Sequence, residues 1–393
     1  MSILVLNAGS SSLKFGLFDD HVEQEFAKGK VAIASQSQPA SATIQIAGTT
    51  VTEAEESIEG YADAVMWALK QLDSQGLVDS ISTVGHRIVH GGSEFIQPTL
   101  FQPNVREPLE RISRLAPLHN PAALQSLDAA KSILTDAKQF GVFDTMYFAR
   151  LPPSSFIYPV PYEWCTEYGV RRIGFHGLSH EYCASRAAEH LNRQEDPDLK
   201  LVICHLGCGC SATAVLGGQP IATTMGMTPM EGLMMGTRCG SIDPGVILHL
   251  LDQPGWTANE VRDQLNRYSG LLGISGISSD YQEVEQAARQ GDERATLAIT
   301  MFADRIRATI GALTVTLGGI DALVFTGGIG ENCADLRHKV SSGLECLGLR
   351  LLTCVDEQEG PIRDLGTSES SAQILLIQTD EERTIAGHLK PFT

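Results

Sequence analysis

The chain has 393 residues, 43% hydrophobic and 19% charged, enough to bury more than one core, so two domains are expected. A formal net charge of -18 with no Lys/Arg-rich block argues against a nucleic-acid partner, because the field of the whole molecule repels a phosphate backbone. No run of about 18 apolar residues is present to span a bilayer, and residues 1–7 lack the basic and apolar parts of a secretory leader, so a cytoplasmic protein with no membrane association is expected.

Residues 3–7 form a strand candidate, followed by the turn Gly9-Ser10-Ser11-Ser12 and a second strand over 14–18. The polar stretch 35–50 reads as hairpin or loop. Ala62, Val65, Met66, Leu69 and Leu72 recur at helical spacing, which predicts a helix over about 60–75. Pro121 suits the first turn of another helix carrying Leu124, Leu127 and Leu134. Asp144 closes the apolar strand 141–143, and strand C-terminal ends are where α/β proteins place reactive side chains. Ser179 is positioned to cap a helix that follows Arg171-Arg172-Ile173-Gly174-Phe175-His176.

A strand over 201–207, a Gly-rich turn and a strand through Ala212, Ala214 and Leu216 repeat the opening design, so two halves on one plan are expected, with a ligand cleft between them. Cys204, Cys208 and Cys210 lie close together here, but no second Cys/His pair completes a zinc spacing; nine scattered cysteines fit a reducing compartment better. Thr257 with Glu260 makes a capping box for a helix to about 268, and 292–317 reads as a long, mostly buried helix. A strand over 322–326 runs into Gly327-Gly328-Ile329-Gly330; 374–377 is the last strand, and Asp380-Glu381-Glu382 opens the final helix. The alternation is that of an α/β protein. The expected domains are an N-terminal lobe over 1–150, onto which the helix from about 380 packs back, and a C-terminal lobe over 151–393.

With the global field against it, an anionic substrate needs a local cluster of Arg, Lys, backbone N–H groups or metal. Three small-residue turns each follow a strand, at 7–12, 205–209 and 327–332, where glycine lets the backbone approach a phosphate. No G-x-x-x-x-G-K-[ST] occurs, so a P-loop is not the device. Cations gather at Gly85-His86-Arg87-Ile88-Val89-His90-Gly91-Gly92, at Arg171 to His180, and at Arg238 between Gly236 and Gly240.

These segments carry a resemblance. Asn7 to Lys14, the run 85–92, Ala116-Pro117-Leu118-His119-Asn120-Pro121, Phe143-Asp144-Thr145, Gly174-Phe175-His176-Gly177, Thr228 to Arg238 and Phe325 to Asn332 look like the signature blocks of the acetate kinase family, in the family's order. The resemblance implies a two-lobed α/β fold of the actin-like ATPase, ribonuclease H-like class, with duplicated βββαβαβα-type domains and a central nucleotide cleft. It implies transfer of phosphate between ATP and acetate or a similar short-chain carboxylate, with Mg2+ (or Mn2+ in its place), in a homodimer. Carried over by position, Asn7 and Glu381 hold the metal, and Lys14 lies near the nucleotide phosphates. Arg87 binds the carboxylate, and Val89, Leu118 and Pro229 line a methyl pocket. Asp144, His176 and Arg238 surround the phosphoryl group. Three segments hold the nucleotide: His205, Leu206, Gly207, Cys208 and Gly209; Asp280, Tyr281 and Gln282; and Gly328, Ile329, Gly330, Glu331 and Asn332.

A carboxylic acid is ionised at neutral pH, so the attacking oxygen needs no general base; Asp144 is expected to act on the metal or on Arg orientation. Several family positions differ: Cys208 stands for Asn, Ala222 and Ser241 for Asp (Asp243 remains), Gln282 for Arg and Phe148 for His. Two alternatives stay open: a propionate or broader acyl kinase, because one methylene in an apolar pocket is worth only about 1–3 kcal/mol, and, on Cys208 and Gln282, a non-catalytic paralogue that binds nucleotide or acyl phosphate. A sugar kinase of the same superfold fits the apolar pocket and Arg87 less well.

Overall fold

The computed structural model describes residues 1–9, 11–34, 40–46, 49–54, 58–116, 119–352 and 360–393. They divide into two compact units, residues 1–149 with 380–393, and residues 150–379. Among the described residues, no helix is long and apolar enough to cross a membrane.

The first unit is built on an eight-stranded sheet. Its strands are β1 (Ser2–Ala8), β2 (Ser12–Asp19), β3 (Glu25–Ala32), β4 (Ser41–Ile46), β5 (Thr49–Ala54), β6 (Ile81–Ile88), β7 (Thr99–Leu100) and β8 (Lys138–Phe143), in the order β5-β4-β3-β2-β1-β6-β8-β7. β1 to β5 pair as an antiparallel meander, then β6 runs parallel to β1 and β8 parallel to β6. β1 is buried along its whole length, as a central strand covered on both faces must be. Leu4, Leu6 and Ala8 share one core cluster with Val65, Ala68 and Leu72 of the helix Tyr61–Asp73. In that helix Trp67 takes the core and Met66 is 49% exposed, so the expected stripe is one residue out at this turn.

The opposite face is closed by the helix Glu381–Leu389. It lies so close that a Cβ on Gly85 of β6 would sit 2.6 Å from Leu389 Cδ1 and 2.8 Å from Ile385 Cγ2; only glycine allows the approach. Asp380 caps this helix through Arg383 N–H.

The second unit carries β9 (Lys200–Leu206), β10 (Cys210–Leu216), β11 (Gln219–Thr223), β12 (Ala322–Thr326), β13 (Ile362–Asp364) and β14 (Gln373–Ile377), in the order β11-β10-β9-β12-β14-β13. β9 to β11 are antiparallel, and β12 and β14 continue the sheet in parallel. β11-β10-β9-β12-β14 thus repeats the order and directions of β3-β2-β1-β6-β8: the two halves share one plan, as the sequence pattern suggested. The capping box of Thr257 and Glu260 opens the helix Ala258–Arg267. The helix Glu293–Leu317 is amphipathic and not mostly buried: Ala295, Ile299, Phe302, Ile306 and Ile310 face the core, while Leu297 and Val315 are exposed.

Candidate active site

In the first unit, alternation along the strands brings Asn7 of β1 and Arg87 of β6 out on the face that Gly85 shares with the final helix. Asn7 Oδ1 accepts from Arg87 Nη1 at 3.0 Å, and its amide nitrogen donates to Glu381 Oε2 at 3.0 Å and Glu382 Oε1 at 2.6 Å. Arg87 gives Nε and Nη2 to the two carboxylate oxygens of Asp144, at 2.9 and 2.6 Å, and its Nη1 stands 3.5 Å from Glu381 Oε2. Asp144 comes directly after β8, is fully buried, and donates its own N–H to Ile88 O.

Burial works against the charge on Arg87, but Asp144, Glu381 and Glu382 outweigh it and push its pKa up, so the guanidinium stays charged. Burial likewise raises the Asp144 carboxyl, and the Arg87 contact opposes that rise. Glu382 is raised by burial, with Lys14 pulling the other way; Lys14 stands across from Asn7 in the β1–β2 pairing and is exposed. Three carboxyl groups therefore meet two cations around Asn7.

Among the described residues no three His, Cys, Asp or Glu side chains converge as a metal cage. The hard-oxygen donors of Asn7 and Glu381, in a cluster with surplus negative charge, suit an ion such as magnesium that takes one or two protein ligands and completes its shell with phosphate and water. Val89 is buried just past β6, Pro229 belongs to the second unit, and Leu118, like Ser10 and Pro117, lies outside the described residues.

In the second unit, His176 sits in the left-handed region (φ 60°) directly before the helix Gly177–His190. Its Nδ1 contacts Ser211 Oγ at 2.9 Å, and its ring lies 4.3 Å from that of His205 at the end of β9. Ser179 does not cap the helix as expected. It is inside the first turn, where its Oγ contacts His205 Nδ1 at 2.8 Å and accepts from Thr379 Oγ1 at 2.9 Å. Arg238 Nη1 donates to Pro229 O at 3.1 Å; burial lowers the pKa of Arg238, with Cys210 and Cys208 acting in the other direction. The turn after β9 brings these groups together. A Cβ on Gly209 would stand 3.2 Å from His176 Nε2 and 3.6 Å from Arg238 Nη1, so both groups border the one position that glycine leaves without a side chain.

Two segments expected as nucleotide-holding loops are the starts of helices. Gly328 to Asn332 lie in the helix Gly327–Asn332, which β12 enters directly. There Glu331 Oε1 accepts from Gly327 N at 2.9 Å and Thr379 N at 3.2 Å, and Asn332 Nδ2 donates to Gly328 O at 2.8 Å. Asp280 caps the helix Tyr281–Arg289 through Gln282 N and Glu283 N. Tyr281 is 2% exposed against Phe302, a core position. What remains at the surface is a cavity of about 380 Å³ lined by Gln282, Gln286, Arg289, Asn332 and Asp335. Leu206 is buried, and Gly207 N–H donates to Gly209 O. Cys208 is exposed; Cys204 and Cys210 are buried, and burial pushes both thiols up to about 12.

Sequence reasoning missed Ser211, Thr379 and Glu382 as parts of these clusters. For Glu382 the doubled carboxylate at the helix start was a usable signal. For Ser211 none existed, since it stands among the small residues of an apolar strand.

A family model described as "Acetokinase family" matches residues 2–387. Acetate kinase from Geobacillus sp. (strain WCH70) is 43% identical over 387 residues, covering 98% of this chain and 97% of the relative. Acetate kinase from Nostoc punctiforme is 41% identical over 400 residues, covering 99% and 98%. Among solved structures, the acetate kinase of Porphyromonas gingivalis superposes with a TM-score of 0.85 at 38% identity, and a propionate kinase of Francisella tularensis with a TM-score of 0.89 at 36% identity, each covering 98% of both chains.

Proposed function

Because this chain belongs to the acetokinase family, we propose that it is a carboxylate kinase that transfers a phosphoryl group reversibly between ATP and acetate. The observation that carries the reading is that His176 Nε2 and Arg238 Nη1 both border the side-chain-free position at Gly209. An ionised carboxylate attacking an anionic phosphoryl group needs positioning and relief from repulsion more than a proton acceptor, and a cation beside an imidazole supplies that relief.

Arg87 binds the substrate carboxylate. Its Nε and Nη2 are held by Asp144, and its Nη1 by Asn7 with Glu381 3.5 Å away, so the guanidinium is fixed in place to receive a second carboxylate on its remaining N–H groups. Asp144 holds the fork from behind, a role that supports Arg orientation rather than proton transfer. Val89, Leu118 and Pro229 take the methyl group. His176 and Arg238 stabilise the charge on the equatorial oxygens, and the turn at 205–209 with Gln282 and Asn332 receives the nucleotide. Asp280, Tyr281 and Glu331 act on it through the backbone they fix.

Asn7 and Glu381 would hold the magnesium ion, which when bound neutralises phosphate charge. The enzyme works in the cytoplasm as a homodimer. The helix Pro244–Leu251 supports the dimer: it has no buried residue, although Val246, Leu248 and Leu251 are apolar, and a second copy of the chain is the occupant that fits such a face.

A hydroxamate assay with ATP, magnesium and acetate tests the reading; absence of acyl phosphate from correctly folded protein refutes it and favours the non-catalytic alternative. The likeness to a propionate kinase gives a second reading, a preference for the longer acid. One methylene is worth only about 1–3 kcal/mol in an apolar pocket, so kcat/KM for acetate, propionate and butyrate decides between them.

A further inference from the structure

Ser211 stands in β10, fully buried, and its hydroxyl meets two imidazoles, His176 Nδ1 at 2.9 Å and His180 Nε2 at 2.8 Å. A serine hydroxyl has one proton to give and two lone pairs to receive; accepting from both rings would leave its own buried proton without an acceptor, so it donates to one ring and accepts from the other. With neutral rings there are two arrangements. If Ser211 donates to His176 Nδ1, it accepts from His180 Nε2–H, and His176 carries its own proton on Nε2. If the roles reverse, His176 Nε2 is a bare lone pair.

The difference matters because of where Nε2 lies. It borders the side-chain-free position at Gly209 that Arg238 Nη1 also borders. A lone pair there repels the phosphoryl oxygens that Arg238 attracts; an N–H adds a donor to them. The neighbouring ring obeys the same logic. Thr379 Oγ1 donates to Ser179 Oγ, so the Ser179 proton is available to His205 Nδ1, an arrangement that puts the His205 proton on Nε2. His180, completely buried, is held neutral first by burial and then by His205, so it can present Nε2–H without adding charge to the core.

We propose that Ser211 is a positioning residue for His176, handing its proton to Nδ1 and so fixing the Nε2–H tautomer that faces the transferred phosphoryl group. The assignment of purpose rests on the carboxylate kinase reading; the tautomer itself does not.

The test is the nitrogen spectrum of isotopically labelled histidine in the full chain at neutral pH, with His176 assigned as the signal lost in His176→Gln. The wild type shows the Nε2–H tautomer. In Ser211→Ala that signal moves toward a mixture of tautomers and kcat falls on the order of tenfold, the scale on which groups that orient a functional side chain act, while KM for acetate and ATP changes little. Ser211→Thr, which keeps the hydroxyl, retains the tautomer. A wild-type His176 that is protonated on Nδ1, or on both nitrogens, overturns the proposal, as does a Ser211→Ala protein with unchanged spectrum and kcat. Should Ser211→Ala fail to fold, the wild-type spectrum still decides. A protein that shows the expected tautomer but makes no acyl phosphate refutes the kinase reading and leaves the positioning role of Ser211 standing.

Discussion

Arg87 and Asp144 form a two-point fork, Nε to one carboxylate oxygen and Nη2 to the other, with Asp144 fully buried. The fork explains how a guanidinium on β6 is held in one rotamer, and it makes the pair sensitive to the loss of either partner.

Asp144→Asn leaves the Arg87 charge without its main counter-charge. Loss of one partner of a buried pair costs about 3–5 kcal/mol, so chemical denaturation is expected to show a destabilisation of that order. The KM for acetate rises as Arg87 loses its orientation. If Asp144 were instead a proton acceptor, the variant would remove an ionisation from the pH profile of kcat/KM; no such loss is expected.

Arg238→Ala removes a preorganised cation from the space at Gly209, with an expected cost on the order of 2.7–4 kcal/mol in the transfer step, by analogy with an oxyanion donor. Single-turnover kinetics reads this directly, and near-normal turnover would refute the assigned role. Gly209→Ala puts a methyl group 3.2 Å from His176 Nε2 and 3.6 Å from Arg238 Nη1, tight enough to shift the imidazole, and is expected to lower kcat.

His86 supplies a pH dependence of stability. It is buried with Nε2 on Gln139 Oε1 at 2.8 Å, and burial lowers its pKa from 6.5 to about 4. The unfolded chain protonates this group near 6.5 and the folded chain resists until about 4, so the unfolded state binds more protons in that window. Stability is complete above the upper value and declines as pH falls toward the lower one, by about 3 kcal/mol for this residue. Denaturation midpoints across the window check it, and His86→Phe is expected to flatten the slope.

Leu248 is 64% exposed on the helix Pro244–Leu251. If a second copy covers this face, Leu248→Glu shifts the mass measured by light scattering from dimer to monomer, because a carboxylate cannot be buried there unpaired. An unchanged mass would place the interface elsewhere.

Much of this arrangement is legible in the sequence. Asn7, Arg87 and Asp144 each end or border an apolar strand, and strand ends announce themselves through local pattern. The capping box at Thr257 and the final helix opened by Asp380 are legible for the same reason, since their hydrogen bonds close within one turn. The segment 280–282 is a helix start and not a loop because small polar residues such as Ser278, Ser279 and Asp280 favour loops and helix caps alike, and Asp280 caps. Met66 and Trp67 compete for one core position, and only packing against β2 and its neighbours settles which enters. Ser211 is the limiting case: its partners lie 35 and 31 residues away along the chain, and nothing local records them.

Glu381 and Glu382 reach Asn7 from the far end of the polypeptide. On the ribosome, then, β1 and β6 emerge early, yet the helix that covers them is translated only after all of residues 150–379 have been made. The second unit is contiguous and can fold vectorially, whereas the first must wait with an apolar sheet face uncovered. Exposure of an unfinished core during synthesis is accordingly concentrated on the half of the protein that is made first and completed last.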